Sequence, residues 1–311
     1  MKKQNLVTHL VLLDGISRSG KFFLGKLLSG FAPHLEYFQY IPILEHLPIL
    51  EHFKKIERET AKQLLRLQVD EAAYNRSIGR NINTLKTDAS YIGHSPCSKT
   101  SKLTASPITI PLFITHECFS FQALLFETWP ALKIIELIRH PVDLVYSWYQ
   151  KGWGTRFETD PLSFIPLLKN EAGIEMPWFN LNSSEDWENL KPIDKIIISI
   201  LSLYKAIEDV SDGYGIFGNT LKRNPSIHWV RYEYLVKEPE MELIRINDFL
   251  NLLELDELKN AIKWAKNFLD RKAPTKRQDK LTSILDLDPK YSYKLLQLSE
   301  RYESEDFLCL K

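Results

Sequence analysis

Apolar residues gather in short runs along the chain, and the runs switch between two spacings. Leu6 to Leu13 is nearly continuous and of strand length, whereas Phe22 to Leu28 places its apolar residues at helical spacing. Ser29-Gly30-Phe31-Ala32-Pro33 stops that helix. His34 to Ile41 is short and aromatic and predicts a second strand. Pro42-Ile43-Leu44-Glu45-His46-Leu47 is followed by a near copy, Pro48 to Phe53. Two copies are too few for a repeat architecture, so the pair predicts helices running to about Asn81. Ile56, Leu64, Leu67 and Ala72 are the expected buried face.

Thr84 to Pro107 is rich in Ser, Thr, Lys and Pro and lacks periodicity. Long loops of this kind often serve as lids or binding loops. Ile108 to Thr115 predicts a strand, Phe119 to Trp129 a helix, Leu132 to Ile138 a buried strand, and Val142 to Tyr149 a helix opened by Pro141. Gly152 to Glu188 is irregular. Helices are expected over Ile193–Val210, Pro239–Leu253, Leu255–Phe268 and Pro289–Tyr302, with a strand over Ser226–Val230. Strands alternating with helices predict an α/β fold whose parallel sheet is covered on both faces. One domain spanning 1–311 is expected, with a helical and loop insertion at about 35–107 and a loop-rich segment at about 152–190.

Composition narrows the function classes. The 311 residues are 44% hydrophobic, which suits a globular chain with a sizeable core. Lys+Arg and Asp+Glu balance at 40 each, so a general nucleic-acid binder is disfavoured. Cys97, Cys118 and Cys309 form no CxxC pair, which argues against a disulfide framework and a zinc site. The first apolar run is too short for a membrane span and lacks a signal-peptide cleavage site, so a cytoplasmic setting is expected.

The turn between the first strand and helix carries the chemistry. Asp14-Gly15-Ile16-Ser17-Arg18-Ser19-Gly20-Lys21 is a Gly-bounded loop between them, the layout of a phosphate cradle. Gly15-x-x-x-x-Gly20-Lys21 fits the nucleotide P-loop as far as the lysine. The next residue is Phe22, where a P-loop has the Ser or Thr that binds magnesium. The loop therefore predicts a phosphate-like anion and no protein-held metal. No acidic cluster at a strand end is evident in the sequence, which also disfavours a magnesium-dependent kinase.

Three segments together resemble sulfotransferases that use 3′-phosphoadenosine 5′-phosphosulfate (PAPS). Ser17-Arg18-Ser19-Gly20 resembles the family's 5′-phosphosulfate loop. Leu137 to Tyr149 is similar to its 3′-phosphate segment, a strand ending in Arg139 and a helix carrying Ser147. Val230 to Pro239 resembles its Tyr-Glu element, here Tyr232-Glu233. The resemblance implies a P-loop-like three-layer fold, a central parallel sheet flanked by helices, with helical and loop insertions. It implies sulfuryl transfer from PAPS to an acceptor hydroxyl or amine on a small molecule or glycan.

The resemblance also assigns residues. Gly15, Ser17, Arg18, Ser19, Gly20, Lys21 and Phe22 would form the cradle. Lys21 and Phe22 stand where the family has Thr or Ser, and Lys21 can supply a point charge instead. Arg18 and Lys21 would act on the sulfuryl oxygens and the leaving phosphate, and Arg139 and Ser147 on the 3′-phosphate. Phe23 and Tyr232 would flank adenine, although Phe23 suits a core helix position equally well. The family's basic Gly-rich segment near the C-terminus has no clear counterpart. Arg271, Lys272, Lys276 and Arg277, the only basic cluster in that region, are the candidates for its role, with Arg271 and Lys272 assigned to the cofactor. Thr115-His116 is similar to the Thr-His of cytosolic sulfotransferases, whose histidine is the general base, although Ile114 replaces the usual preceding lysine. Glu36 and Glu45 are rival bases, since other branches use a glutamate. Trp153, Trp178 and Trp187 would line an acceptor pocket or belong to the core. A P-loop kinase and a non-catalytic nucleotide-binding protein are the alternatives.

Overall fold

The computed structural model describes residues 5–29, 35–37, 40–77, 110–183, 185–211, 224–251, 259, 262–263 and 276–304. The expected loop over Thr84–Pro107, most of the helix expected over Leu255–Phe268, and Arg271 and Lys272 lie outside these residues. The described residues fall into two compact units. One comprises Met1–Gly15, Gly20–Ile138 and Pro225–Lys272, the other Ile16–Ser19, Arg139–Asn224 and Ala273–Lys311.

The first unit is built on five strands. They are β1 (His9–Asp14), β2 (Leu35–Tyr37), β3 (Ile110–Ile114), β4 (Ala131–Ile138) and β7 (Ile227–Arg231). Their order is β2-β3-β1-β4-β7, and every pairing is parallel. The continuous apolar runs are explained by burial on both faces. Val11 and Leu13 share one face with Ile114, Ile135 and Leu137, under Leu24, Leu27 and Leu28 of α1 (Lys21–Ser29) and Leu243 and Ile246 of α9 (Pro239–Leu250). Leu10 and Leu12 share the other face with Phe113 and Ile134, under helices α2 (Ile43–His52), α3 (Arg58–Ser77) and α4 (Gln122–Thr128). Period-two alternation along β1 thus feeds two cores, giving the expected three layers. Each fully buried Leu contributes about 1.5–3 kcal/mol of transfer free energy.

The buried face of α3 differs from expectation. Ala61, Leu65 and Val69 are buried, whereas Leu64 and Leu67 are exposed. The i, i+4, i+8 row is the one that meets the sheet, and Leu64 and Leu67 lie off it. In α2 the second copy of the near-repeat puts Pro48 inside the helix. Proline has no N–H to bond the carbonyl four residues back. That carbonyl, of Leu44, accepts the Cys118 thiol at 3.7 Å instead.

The second unit holds α5 (Pro141–Tyr149), α6 (Trp153–Thr159), α7 (Pro192–Ser211), the antiparallel pair β5 (Leu167–Lys169) and β6 (Glu175–Pro177), and helices Arg277–Leu285 and Ser292–Glu303. Its core is aromatic. Trp148 is fully buried, with ring centroids 5.1 Å from Trp153 and 5.5 Å from Phe157. Trp178 and Trp187 are buried, as the core alternative for them requires. Among the described residues no helix is long and apolar enough to cross a membrane.

Candidate functional site

The loop after β1 leaves the carboxyl end of the central strand, where ligands gather in open α/β sheets. Its backbone turns through positive φ at Gly15 (140°), Arg18 (74°) and Gly20 (112°). Such a conformation is unusual for arginine and suits a residue held for function. The Ser19 N–H donates to the Ile16 carbonyl at 3.0 Å, closing the turn. The Trp148 indole N–H donates to the Ser17 carbonyl at 2.8 Å, which ties the loop to α5. The Ser19 hydroxyl is fully buried and has no partner among the described residues. A buried hydroxyl without a partner costs free energy that an anionic ligand can offset.

Gly20 is constrained twice. Besides its φ, a Cβ there would lie 2.6 Å from Cδ2 and Cε2 of Tyr232. Tyr232 opens helix α8 (Tyr232–Lys237) directly after β7, so the loop glycine and the Tyr-Glu element meet at one contact. Gly20→Ala is therefore expected to cost about 1–3 kcal/mol of stability from backbone strain, before any movement of Tyr232. Urea denaturation would measure it, and a wild-type midpoint would mean that the loop relaxes freely.

Lys21 begins α1 with its side chain buried, and its ammonium donates to the Gly15 carbonyl. Burial lowers its pKa, and the carboxylates of Glu117, Asp14, Glu136 and Glu45 act against that shift. Acids do gather at strand ends here, contrary to what the sequence suggested. Asp14 ends β1, Glu136 lies opposite it on β4, and Glu117 follows β3. They are far apart in sequence, and only the parallel register brings them near Lys21. Burial first, and Asp14 second, push the Glu136 carboxyl well above the usual range.

Arg18, Arg139 and Ser147 are brought together in the second unit. Arg18 Nε donates to Ser147 Oγ at 3.0 Å, and Arg139 Nη1 donates to the Arg18 carbonyl at 2.8 Å. Arg139 follows β4 immediately, and its own carbonyl accepts the Tyr204 hydroxyl. Ser147 lies on α5, whose N-cap His140 accepts the Val142 N–H through Nδ1 and meets Glu303 through Nε2 at 2.9 Å. Burial and the neighbouring Arg139 both lower the Arg18 pKa. Two guanidinium groups held this close repel, and a dianion between them would relieve the repulsion. The sequence signal for Arg18 pointed to the sulfuryl end of the ligand; its hydrogen bond joins it to the pair assigned to the 3′-phosphate.

His116 follows β3 at the edge beside β1. The Thr115 N–H donates to the Leu13 carbonyl at 3.1 Å, and the Thr115 hydroxyl donates to Asp14 Oδ1 at 3.0 Å. Glu117 then turns with φ 56°. His116 Nδ1 lies 2.8 Å from Glu45 Oε1, and the His116 N–H donates to the same oxygen. The Tyr40 hydroxyl donates to Glu45 Oε2 at 2.8 Å. The ring packs edge-on to Tyr40 at 4.9 Å and lies 6.2 Å from Phe22, which is exposed. The rival bases His116 and Glu45 are thus hydrogen-bonded partners. Glu36 lies in β2, opposite Pro111.

Phe23 is partly buried against the sheet core, as is Tyr232. Arg277 and Lys280 both bond Asp143 on α5, at 3.4 and 2.5 Å. Tyr40, Trp148 and Tyr204 were not foreseen. Their roles depend on single hydrogen bonds to groups distant in sequence, for which no local pattern exists.

A family model described as the sulfotransferase domain matches residues 10–266. No curated protein matches the chain. Among solved structures, the sulfotransferase domain from the curacin biosynthetic pathway is 15% identical, covering 82% of this chain and 77% of that one at a TM-score of 0.43. The sulfotransferase domain from the Synechococcus PCC 7002 olefin synthase is 15% identical, covering 98% and 97% at 0.47. A sulfotransferase from Mycobacterium avium is 11% identical, covering 91% and 77% at 0.45. The family model spans most of the 311 residues, and the chain belongs to the sulfotransferase family.

Proposed function

We propose that the protein transfers a sulfuryl group from PAPS to a hydroxyl or amine of a small-molecule or glycan acceptor. The convergence of Arg18, Arg139 and Ser147 carries this reading. Two cations and a hydroxyl, drawn from the loop, a strand end and a helix, suit a phosphate dianion. The unpartnered Ser19 hydroxyl in the cradle fits a second anionic group.

When bound, PAPS supplies the sulfuryl group, whose bond to the leaving phosphate oxygen breaks as the acceptor oxygen or nitrogen attaches to sulfur. Arg139, Ser147 and Arg18 hold the 3′-phosphate and fix register. Ser19 and the loop N–H groups orient the 5′ end, and Lys21 adds positive charge at the start of α1. His116 takes the acceptor proton at Nε2, which has no partner among the described residues.

Binding of 3′-phosphoadenosine 5′-phosphate should be tight by calorimetry and unchanged by EDTA, because Phe22 removes the usual magnesium hydroxyl. ATP binding that is tighter and magnesium-dependent would favour a kinase and overturn the proposal.

A further inference from the structure

Resting on the reaction proposed above, we infer that Glu45 is a positioning residue that makes His116 a base, with Tyr40 holding Glu45 in turn. Glu45 comes from the first turn of α2, and its side chain is buried. A buried carboxylate needs donors, and the three around Glu45 are specific. Oε1 accepts the His116 N–H and meets Nδ1 at 2.8 Å, while Oε2 accepts the Tyr40 hydroxyl at 2.8 Å. An oxygen that already accepts a backbone N–H is suited to accept again. The network therefore places the ring proton on Nδ1, and the Nε2 lone pair is left as the acceptor. The aromatic neighbours Tyr40 and Phe22 hold the ring plane. Without Glu45 the imidazole can rotate or adopt the other tautomer, whose Nε2 carries the proton and cannot act as a base.

During turnover the proton of the acceptor O–H passes to Nε2. The acceptor oxygen uses its freed electron pair to bond sulfur, and the sulfur–oxygen pair leaves with the bisphosphate. Glu45 stabilises the imidazolium formed. Because the two groups share a hydrogen bond, they take up a proton as a pair, with an apparent pKa belonging to both. The charged and titratable neighbours are Asp14 from β1, Lys21 from α1, Glu117 and Cys118 after β3, and Tyr40 before α2. Burial pushes Glu45 up to about 8, and the Tyr40 hydrogen bond works against that. Burial, and then Lys21, pull His116 down to about 3. The pair therefore gains its proton mainly because Glu45 is present, and the base form exists above the pair's pKa.

In Glu45→Gln the imidazole is left alone, so the rising limb of kcat against pH moves to lower pH. In Tyr40→Phe the carboxylate loses a donor, so the limb moves to higher pH. A change of packing alone would not move the limb in opposite directions. Glu45→Gln should also lower kcat by about 10–100-fold, the range seen when the carboxylate behind a functional histidine is lost. PAPS KM should stay within about threefold.

The experiment pairs these pH profiles with ¹⁵N spectra of the His116 ring in the ligand-free protein. Wild type should show the Nδ1–H tautomer, and Glu45→Gln should lose it. Opposite limb shifts with that tautomer change support the dyad. Unmoved limbs, or an Nε2–H tautomer in wild type, overturn it. The spectra need no turnover, so they test the Glu45–His116 arrangement even for a protein inactive with PAPS. That inactivity would count against the proposed function instead.

Discussion

Arg139→Ala is expected to weaken binding of 3′-phosphoadenosine 5′-phosphate by about 2–5 kcal/mol, the usual cost of removing one partner from a charge-assisted pair. Adenosine 5′-phosphosulfate, which lacks the 3′-phosphate, should bind nearly as it does to wild type. The structure adds a complication that the comparison resolves. Arg139 also donates to the Arg18 carbonyl, and Arg18 sits in a positive-φ conformation. If Arg139 served only to hold the loop, both nucleotides would weaken together. Calorimetry of both ligands separates the two roles, and equal losses with an intact fold would make Arg139 structural. Ser147→Ala should cost less, about 0.5–1.5 kcal/mol, since it removes one neutral partner of Arg18.

His116→Ala is expected to lower kcat by about 10²–10⁴-fold, the usual contribution of a general base. Nucleotide binding should change little, because His116 hydrogen-bonds Glu45 and packs edge-on to Tyr40, neither of which is assigned to the nucleotide. The remaining activity should lose its rise with pH, because the group whose deprotonation makes the base is gone. Steady-state kinetics across pH 5–9 (about the range histidine and raised carboxyl groups titrate in) provides the measurement. A variant within threefold of wild-type kcat would place the base elsewhere, and Glu45→Gln would then show whether it is the carboxylate.

The sheet was legible because a parallel, doubly covered strand needs nothing beyond a continuous apolar run. The runs around Leu12, Phe113, Ile135 and Val230 all became strands of it. The placement of Arg139 at a strand end and of Ser147 on the next helix was legible because both are fixed by local sequence. The error on α3 arose where the chain offers two apolar rows and only tertiary packing chooses between them. Leu64 and Leu67 read as core until Ala61, Leu65 and Val69 are seen against the sheet. The acids near Lys21 were illegible for another reason. Asp14 and Glu136 are neighbours only through strand register, which no single segment records. The pairing of Glu45 with His116 has the same origin. Each was visible as a candidate, and nothing in the sequence said they would touch.

The proline inside α2 links two chemistries that look unrelated. Pro48 frees the Leu44 carbonyl, the Cys118 thiol occupies it, and the next residue along the same turn is Glu45. Burial raises the Cys118 pKa well above that of an ordinary thiol, so in the closed helix the sulfur is a poor nucleophile. Cys118 is buried, so its alkylation requires local opening, and an opening at α2 would also part Glu45 from His116. The alkylation rate of Cys118 would thus report openings of the segment that carries Glu45, the hydrogen-bond partner of His116.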